Sequence, residues 1–482
     1  MKRLIVIIFI IFGAFLTFRL YRTFAYDTSV VEETPSTTDL EYTFKIGNSS
    51  IKQITVDSGE TKYYDVVLGN PNPAKISYSI YYEMVSPSSK PDGFSIEYTS
   101  KSTGESAGKV DKEGNITLNL VVTNTSSSAV TVKLGTVAGY VNGGELILDS
   151  GQDVIPKQSA SKYIMSLDDG TTGDSWSGVY KVSHSAIASS SSATGSEIKA
   201  STDYRYYGAS PSNYICLDME GESTCPDKHL YRIIGSIYEE LEGTNRIKVR
   251  KATPLTDGTT SGFSWDYTSS GSYSNIWATV TSGNYSNSLS SGSQLMKLLN
   301  SGLWWTGTIG SYYNGSTTAT TVNFTNYKLS DKAKSYISKS RYYLGGYNSN
   351  TPLTNDMYGY ERGTLMYDTS RPLYWDGMVG LMYPSDFGYA AGNSCVTGTT
   401  LYNYYGGCYQ KDWLHNSGAQ WLMSPNSDNS TNSFRVGSTG FDGSYRSDVY
   451  YSNLVYPVFY LNKDVVITSG TGTSSDPYFV SK

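Results

Sequence analysis

Residues 375–390 read WDGMVGLMYPSDFGYA, and the fold turns on how this stretch is read. Trp375, Met378, Val379, Leu381, Met382, Tyr383 and Phe387 crowd into thirteen positions, with glycine or proline where the backbone must bend. So many breakers argue against a helix and for a looped aromatic core segment. Beyond it lie a loop bounded by Cys395 and Cys408, then DWLHNSGAQWLMSP with Trp413 and Trp421. Four apolar stretches with strand patterning follow, SFRV, DVYY, LVYPVFYL and DVVITS. GTGTSSDPYF reads as a tight turn between the two final strands. A tryptophan-rich core, stapled by a short disulfide and sealed by C-terminal strands, is a scaffold for displaying loops.

The totals agree with that reading. A chain of 482 residues suffices for two or three domains with proper cores. It is 38% hydrophobic and only 17% charged, and its 44 Tyr and 47 Gly suit short strands and turns, so a mainly β fold is expected. The net charge of −6, with no basic cluster after the first 22 residues, excludes nucleic acid as a partner. His184, His229 and His415 are far apart and follow no metal-ligand spacing, so they read as ordinary surface or loop residues and no metal or cofactor is expected.

Met1 to Tyr26 has a basic start, Lys2 and Arg3, and an apolar run from Leu4 to Phe18. Fifteen helical residues reach about 22 Å, short of a roughly 30 Å hydrocarbon core, which suits a cleaved signal peptide. Leu20 and Tyr21 lengthen the run if Arg19 and Arg22 snorkel, which suits an uncleaved signal-anchor holding the protein to the membrane. Both readings export the rest of the chain, and without a sortase signal or apolar C-terminal tail any attachment is expected at the N-terminus. The four cysteines fall in two close pairs, Cys216 with Cys225 and Cys395 with Cys408. Three connectivities are open; local pairing is the simplest, and an oxidising compartment stabilises it. A metal site would more naturally show CxxC spacing, which is absent.

Residues 27–40 read as a polar spacer. Residues 41–157 hold seven or eight alternating strands separated by NPNP, SSKPDG, KEGN and NGG, which fits an immunoglobulin-like β-sandwich. Residues 158–200, containing SHSAIASSSSATGS, read as a serine-rich linker or exposed loop. Within that segment LDDGTTGD lacks the calcium-loop pattern and reads as solvated. Residues 201–482 form a larger α+β, loop-rich domain. Two helices are predicted there: SGSQLMKLLNSGLW, with Leu295, Leu298 and Leu299 on one face, and KLSDKAKSYISKSRYYL, with Leu329, Ala333, Tyr336 and Ile337 at helical spacing after a Ser330 cap.

The blocks YRYYGASPSNYI, LYRIIG, SQLMKLLN, LSDKAKSYI, RYYLGGY, ERGTLMYD, YWDGMVGLMYPSDFGYA, WLMSP and VVITSGTGTSSDPYFV occur in this order over residues 175–482. In them the chain resembles a family of uncharacterised, paralogous surface proteins of low-GC Gram-positive gut bacteria. The terminal block of that family in turn resembles the C-type-lectin-like fold shared with formylglycine-generating-enzyme-like domains, so a C-type-lectin-like domain over 201–482 is what the resemblance implies. One position departs from it. Where relatives carry a GVRP-like motif, this chain has LVYP, with Tyr456 in the arginine's place.

HExxH, GxSxG, a P-loop and a dinucleotide fingerprint are all absent. Glu239, Glu240, Glu361, Asp376, Asp386, Asp442 and Asp448 are numerous enough for a glycosidase pair, but spacing selects no two of them, and an enzyme is not expected. Loops rich in Tyr, Ser, Gly and Asn instead suit a binding surface, because tyrosine supplies contact area at small entropic cost. Ser424 to Asn453 is the place to look, with Asn432, Asp442, Tyr445, Tyr450, Tyr451 and Asn453 as candidate ligand residues. The expected protein is an extracytoplasmic adhesin whose ligand is a glycan or protein on a host or neighbouring cell. A purely structural envelope component is the alternative, ahead of a carbohydrate-active enzyme.

Overall fold

The computed structural model describes residues 43–482 apart from 47–52, 73–75, 101–108, 112, 141–151, 155–158, 169, 171–172, 174–176, 280–291, 416–417, 439 and 442–444. The predicted membrane segment 1–26, the spacer 27–40, the stretch ELILDS, parts of LDDGTTGD and Asp442 lie outside the described residues. Among the described residues no helix is long and apolar enough to cross a membrane. The fold is mainly β and divides into two compact units, Met1–Gln158 and Ser159–Lys482.

The first unit holds β1 (Thr43–Ile46), β2 (Gln53–Val56), β3 (Glu60–Asn70), β4 (Ile76–Ser86), β5 (Phe94–Ser100), β6 (Lys109–Val110), β7 (Gly114–Asn124), β8 (Val130–Tyr140) and β9 (Gln152–Val154). One antiparallel sheet runs β1-β3-β7-β5; the other runs β2-β8-β4-β6, with β9 also on β4. The alternation in the sequence sets their inner faces. Along β7 every second residue is buried, Ile116, Leu118, Leu120 and Val122, and these share one core with Ile54, Val56, Ile80, Tyr82, Val132 and Leu134 of the other sheet. Short β6 and β9 carry too few residues to show an alternation, and the sequence did not mark them.

The second unit begins earlier than the sequence suggested. Helix Ala160–Ser166, capped by Ser159, and β10 (Gly178–His184) occupy part of the supposed linker. Strand β10 pairs along its whole length with β11 (Ser201–Tyr207), so residues 159–200 belong to the second unit rather than bridging to it. The serine run around Ser189–Ser191, between β10 and β11, is exposed as expected. The main sheet continues through β12 (Tyr214–Cys216), β13 (Leu230–Glu239) and β14 (Thr244–Lys251).

Smaller pieces follow in chain order. Strands β15 (Ile309–Tyr312) and β16 (Thr320–Asn323) form a hairpin, β17 (Ile337–Ser338) joins the main sheet, and β18 (Ser340–Tyr343) pairs with β19 (Tyr374–Gly377). Strands β20 (Gln420–Pro425), β21 (Asn432–Val436) and β22 (Arg446–Asp448) make a separate three-stranded sheet. Then β23 (Val458–Leu461), β24 (Val466–Ser469) and β25 (Tyr478–Ser481) close the main sheet, in the order β17-β23-β14-β13-β12-β25-β24 with β10-β11 branching from β13. The GTGTSSDPYF turn does join β24 to β25.

Both disulfides form with local pairing, Cys216–Cys225 and Cys395–Cys408. The first predicted helix is Gln294–Asn300, capped by Ser293, with Leu295, Leu298 and Leu299 buried. The second is capped by Ser330 as expected but covers only Asp331–Ser335. Ile337 leaves the helix to pair with Leu461, where ladder hydrogen bonds replace helical ones. In the deciding stretch the reading against a helix holds up to Tyr383 and fails after it, because Pro384–Ala390 is helical. Proline there occupies the first turn, where it removes no helical hydrogen bond.

Candidate functional site

Two arrangements in the second unit bear on function: a frame of buried indoles and ion pairs, and a cluster of tyrosines on the loops above it. Trp265, Trp277, Trp375 and Trp421 are all buried. They meet edge to face in a chain, Trp421–Trp265 at 5.9 Å, Trp265–Trp277 at 5.0 Å and Trp277–Trp375 at 6.2 Å between ring centres. This frame aligns two loop segments. Phe263 and Asn453 exchange backbone hydrogen bonds, and Trp265 donates its backbone N–H to Val449 O at 2.8 Å, so residues 263–267 run antiparallel to 449–453.

That pairing brings Tyr267 beside Tyr450. Tyr267 and Tyr273 stack at 5.7 Å with 16° between planes, Tyr450 lies 5.0 Å from Tyr273 and 6.2 Å from Tyr267, and Tyr451 is 4.2 Å from Tyr450. Tyr451 is 51% exposed, and the other three are half-buried. Neighbouring turns present polar groups. Thr268, Ser270 and Ser272 link their hydroxyls in an exposed turn, and Ser452 Oγ donates to Asn314 Oδ1 at 2.8 Å. Gly315, at φ +72°, lies against the Tyr450 carbonyl so closely that a Cβ would stand 2.5 Å from it. A hydrogen bond with the Tyr451 hydroxyl pushes the Tyr450 phenol up to about 12, so it stays neutral at physiological pH. Together these groups offer aromatic faces for apolar ligand surface and hydroxyls for polar edges.

The predicted ligand residues divide. Tyr450 and Tyr451 belong to this cluster. Asn432 donates to Asp448 Oδ1 at 2.9 Å inside the β21–β22 ladder, and Tyr445 packs on Phe434 with its hydroxyl on Asn348 O at 3.0 Å. Asn453 is buried and its backbone holds Phe263, so it supports the face from beneath. Asp442 lies outside the described residues. Tyr267 and Tyr273 are cluster members that sequence reasoning missed. Their only signal was the Tyr, Ser and Gly composition of that loop.

The carboxylates considered for catalysis are matched by cations or hydrogen-bond donors. Arg205 binds Asp203 (2.7 Å) and Asp386 (2.9 Å), and Lys248 also reaches Asp386. Arg246 meets Glu239 at 3.1 Å, and Arg341 grips Asp376 with two hydrogen bonds of 2.9 and 3.0 Å. The Tyr343 hydroxyl donates to Glu240, while Asp448 stands apart on β22. His184, expected at the surface, is buried against Asp203 at 2.8 Å, and His229 is buried as well. A strand residue beside a buried carboxylate is covered by the β10–β11 pairing, which the sequence did not reveal. Tyr456 lays its ring 3.9 Å from the Arg250 guanidinium.

Glu361 is fully buried, accepting from Ser385 N (2.9 Å) and Oγ (2.5 Å) with Arg362 at 3.2 Å. Burial outweighs these partners and pushes its carboxyl up to about 7. A raised carboxyl pKa stabilises the fold below its unfolded value and loses that contribution as pH rises through 7. Stability of the second unit should therefore fall by about 3 kcal/mol between pH 4.5 and 8 through this group. Urea titrations across that range should show the slope, and Glu361→Gln should flatten it; an unchanged slope in the variant would assign it elsewhere. Comparison of the chain with family models, curated proteins and solved structures found no match.

Proposed function

We propose that the protein is an exported, membrane-attached surface adhesin whose second unit binds a carbohydrate through the face formed by Tyr267, Tyr273, Tyr450 and Tyr451. The observation that carries this reading is the antiparallel pairing of 263–267 with 449–453, which assembles four tyrosines from two distant loops over a rigid tryptophan frame. Preorganised aromatic surface with adjoining hydroxyls is suited to stacking on a sugar ring and bonding its rim. The two disulfides support an oxidising, extracytoplasmic location. The first unit serves in this reading as an immunoglobulin-like spacer. Its sheet order β1-β3-β7-β5 matches the A-B-E-D sheet of such domains, although β9 pairs with β4 rather than with β8. For the second unit we retain the C-type-lectin-like reading, which rests on sequence resemblance.

The test is a glycan array probed with the purified protein and with a Tyr273→Ala/Tyr450→Ala variant. We expect binding to a restricted set of glycans, weakened about tenfold or more in the variant, with its urea midpoint nearly unchanged. Silence across host and bacterial glycans would favour the structural envelope role. Capture of a protein ligand that is lost in the same variant would keep the face and change the ligand class.

A further inference from the structure

The loop closed by Cys216 and Cys225 carries Asp218 and Glu220, and the chain returns to β13 through His229. One donor atom from each of these three residues lies within 4.8 Å of the others. The His229 side chain is fully buried, yet neither ring nitrogen makes a hydrogen bond. Its Nε2 stands 3.2 Å from Glu220 Oε1, at ion-pair distance, and its Nδ1 faces no partner among the described residues. A buried polar group without a hydrogen bond is costly and calls for a partner. Two donors at about 2.0–2.1 Å from a tetrahedral ion stand roughly 3.3 Å apart, close to the 3.2 Å between His229 Nε2 and Glu220 Oε1.

The surroundings hold the acids in place. Asp218 Oδ2 accepts from Ser330 Oγ at 2.6 Å and its Oδ1 from the Glu220 N–H at 3.2 Å. Glu220 takes a left-handed backbone, φ +47°, unusual for a residue with a side chain. Lys228 pairs with Glu220, and Lys332 stands 3.4 Å from Asp218 Oδ1. Both amines reach solvent, with side chains 24% and 59% exposed, so each can swing away when a cation takes over the carboxylates.

We propose that Asp218, Glu220 and His229 form a binding site for one first-row divalent cation, zinc being the ion that best suits one imidazole and two carboxylates. Three protein donors leave a fourth position for water. The ion would tie the disulfide loop to the turn before β13 and, through Asp218 and Ser330, to the start of helix Asp331–Ser335.

The full chain, first dialysed against a chelator, is titrated with zinc by calorimetry and with cobalt by visible absorption. We expect a single saturable equivalent, the visible bands of cobalt in a low-coordinate site, and no displacement by excess magnesium. Glu220→Gln, at a partly exposed position, should weaken zinc binding about tenfold or more while the disulfide and circular dichroism persist; His229→Gln should abolish it. Should His229→Gln fail to fold, Glu220→Gln alone carries the test. Absence of a saturable equivalent overturns the proposal, and so does a site that Glu220→Gln leaves unchanged.

Discussion

Replacing Arg205 by leucine is expected to remove about 3–5 kcal/mol from the stability of the second unit. The guanidinium donates Nε and Nη2 to Asp203 Oδ2 at 3.0 and 2.7 Å and Nη1 to Asp386 Oδ1 at 2.9 Å, and it lies 4.5 Å from the centre of the Tyr389 ring. All three charged side chains are at most 2% exposed. Burial alone would raise both carboxyls, but Arg205 and His184 hold Asp203 well below its ordinary range, and Lys248 and Arg205 hold Asp386 down to about 2. Leucine fills much of the space and leaves two acids in a low-dielectric interior with too few cations, and that uncompensated charge carries the cost. All eight tryptophans follow residue 158, so indole fluorescence in a urea titration reports the second unit alone. Lys463→Ala, which breaks the exposed Lys463–Glu242 pair, should change stability by less than about 0.5 kcal/mol. If Arg205→Leu behaved like Lys463→Ala, the buried network would not be a source of stability.

This network was hidden from the sequence for a physical reason. In DYRYYG and RIKVRKA, Arg205, Lys248 and Arg250 alternate with apolar residues in the way a half-solvated strand would, so period alone places them outward. They point instead into the interior, where Asp203, Asp386 and the Leu414 carbonyl receive them. Conversely, the alternation in β3, β7 and β8 was legible because one face of each strand packs mainly on apolar neighbours. Gly388 misled in another way. It stands where a Cβ would collide with Thr354, so it allows close packing between helices Pro384–Ala390 and Thr354–Glu361 rather than breaking the first of them. Loop composition pointed to the tyrosines of 424–453, of which Tyr450 and Tyr451 lie in the ring cluster. Tyr267 and Tyr273 required knowledge of a pairing about 180 residues away in sequence, which no local pattern encodes.

The frame and the face make separable demands on the same tyrosines. The face needs only that four rings be presented together, whereas the frame must hold 263–267 against 449–453 from below. A change in the exposed layer should therefore alter binding at constant stability, and a change in the buried layer should alter both. Tyr451, half in solvent, and Trp265, wholly enclosed, are the residues that separate these cases.

Trp265→Ala is the second large effect, an expected loss of about 3–5 kcal/mol. The indole contacts Trp277 and Trp421 edge to face, its Nε1 donates to Ile276 O at 3.4 Å, and its carbonyl accepts from Leu295 N at 3.0 Å at the start of helix Gln294–Asn300. Alanine keeps the backbone hydrogen bond to Val449 but opens a cavity lined by two indoles, which cannot close without shifting the segment that carries Tyr267. Glycan binding should therefore weaken even at urea concentrations where the variant remains folded. Trp265→Phe, which retains an edge-to-face partner, should recover part of both losses. Tyr451→Ala should weaken binding and leave the stability measured by urea titration within about 0.5 kcal/mol of the parent. A Trp265→Ala protein that kept full binding while losing several kcal/mol would show that the tyrosines hold one another in place without the indole chain beneath them.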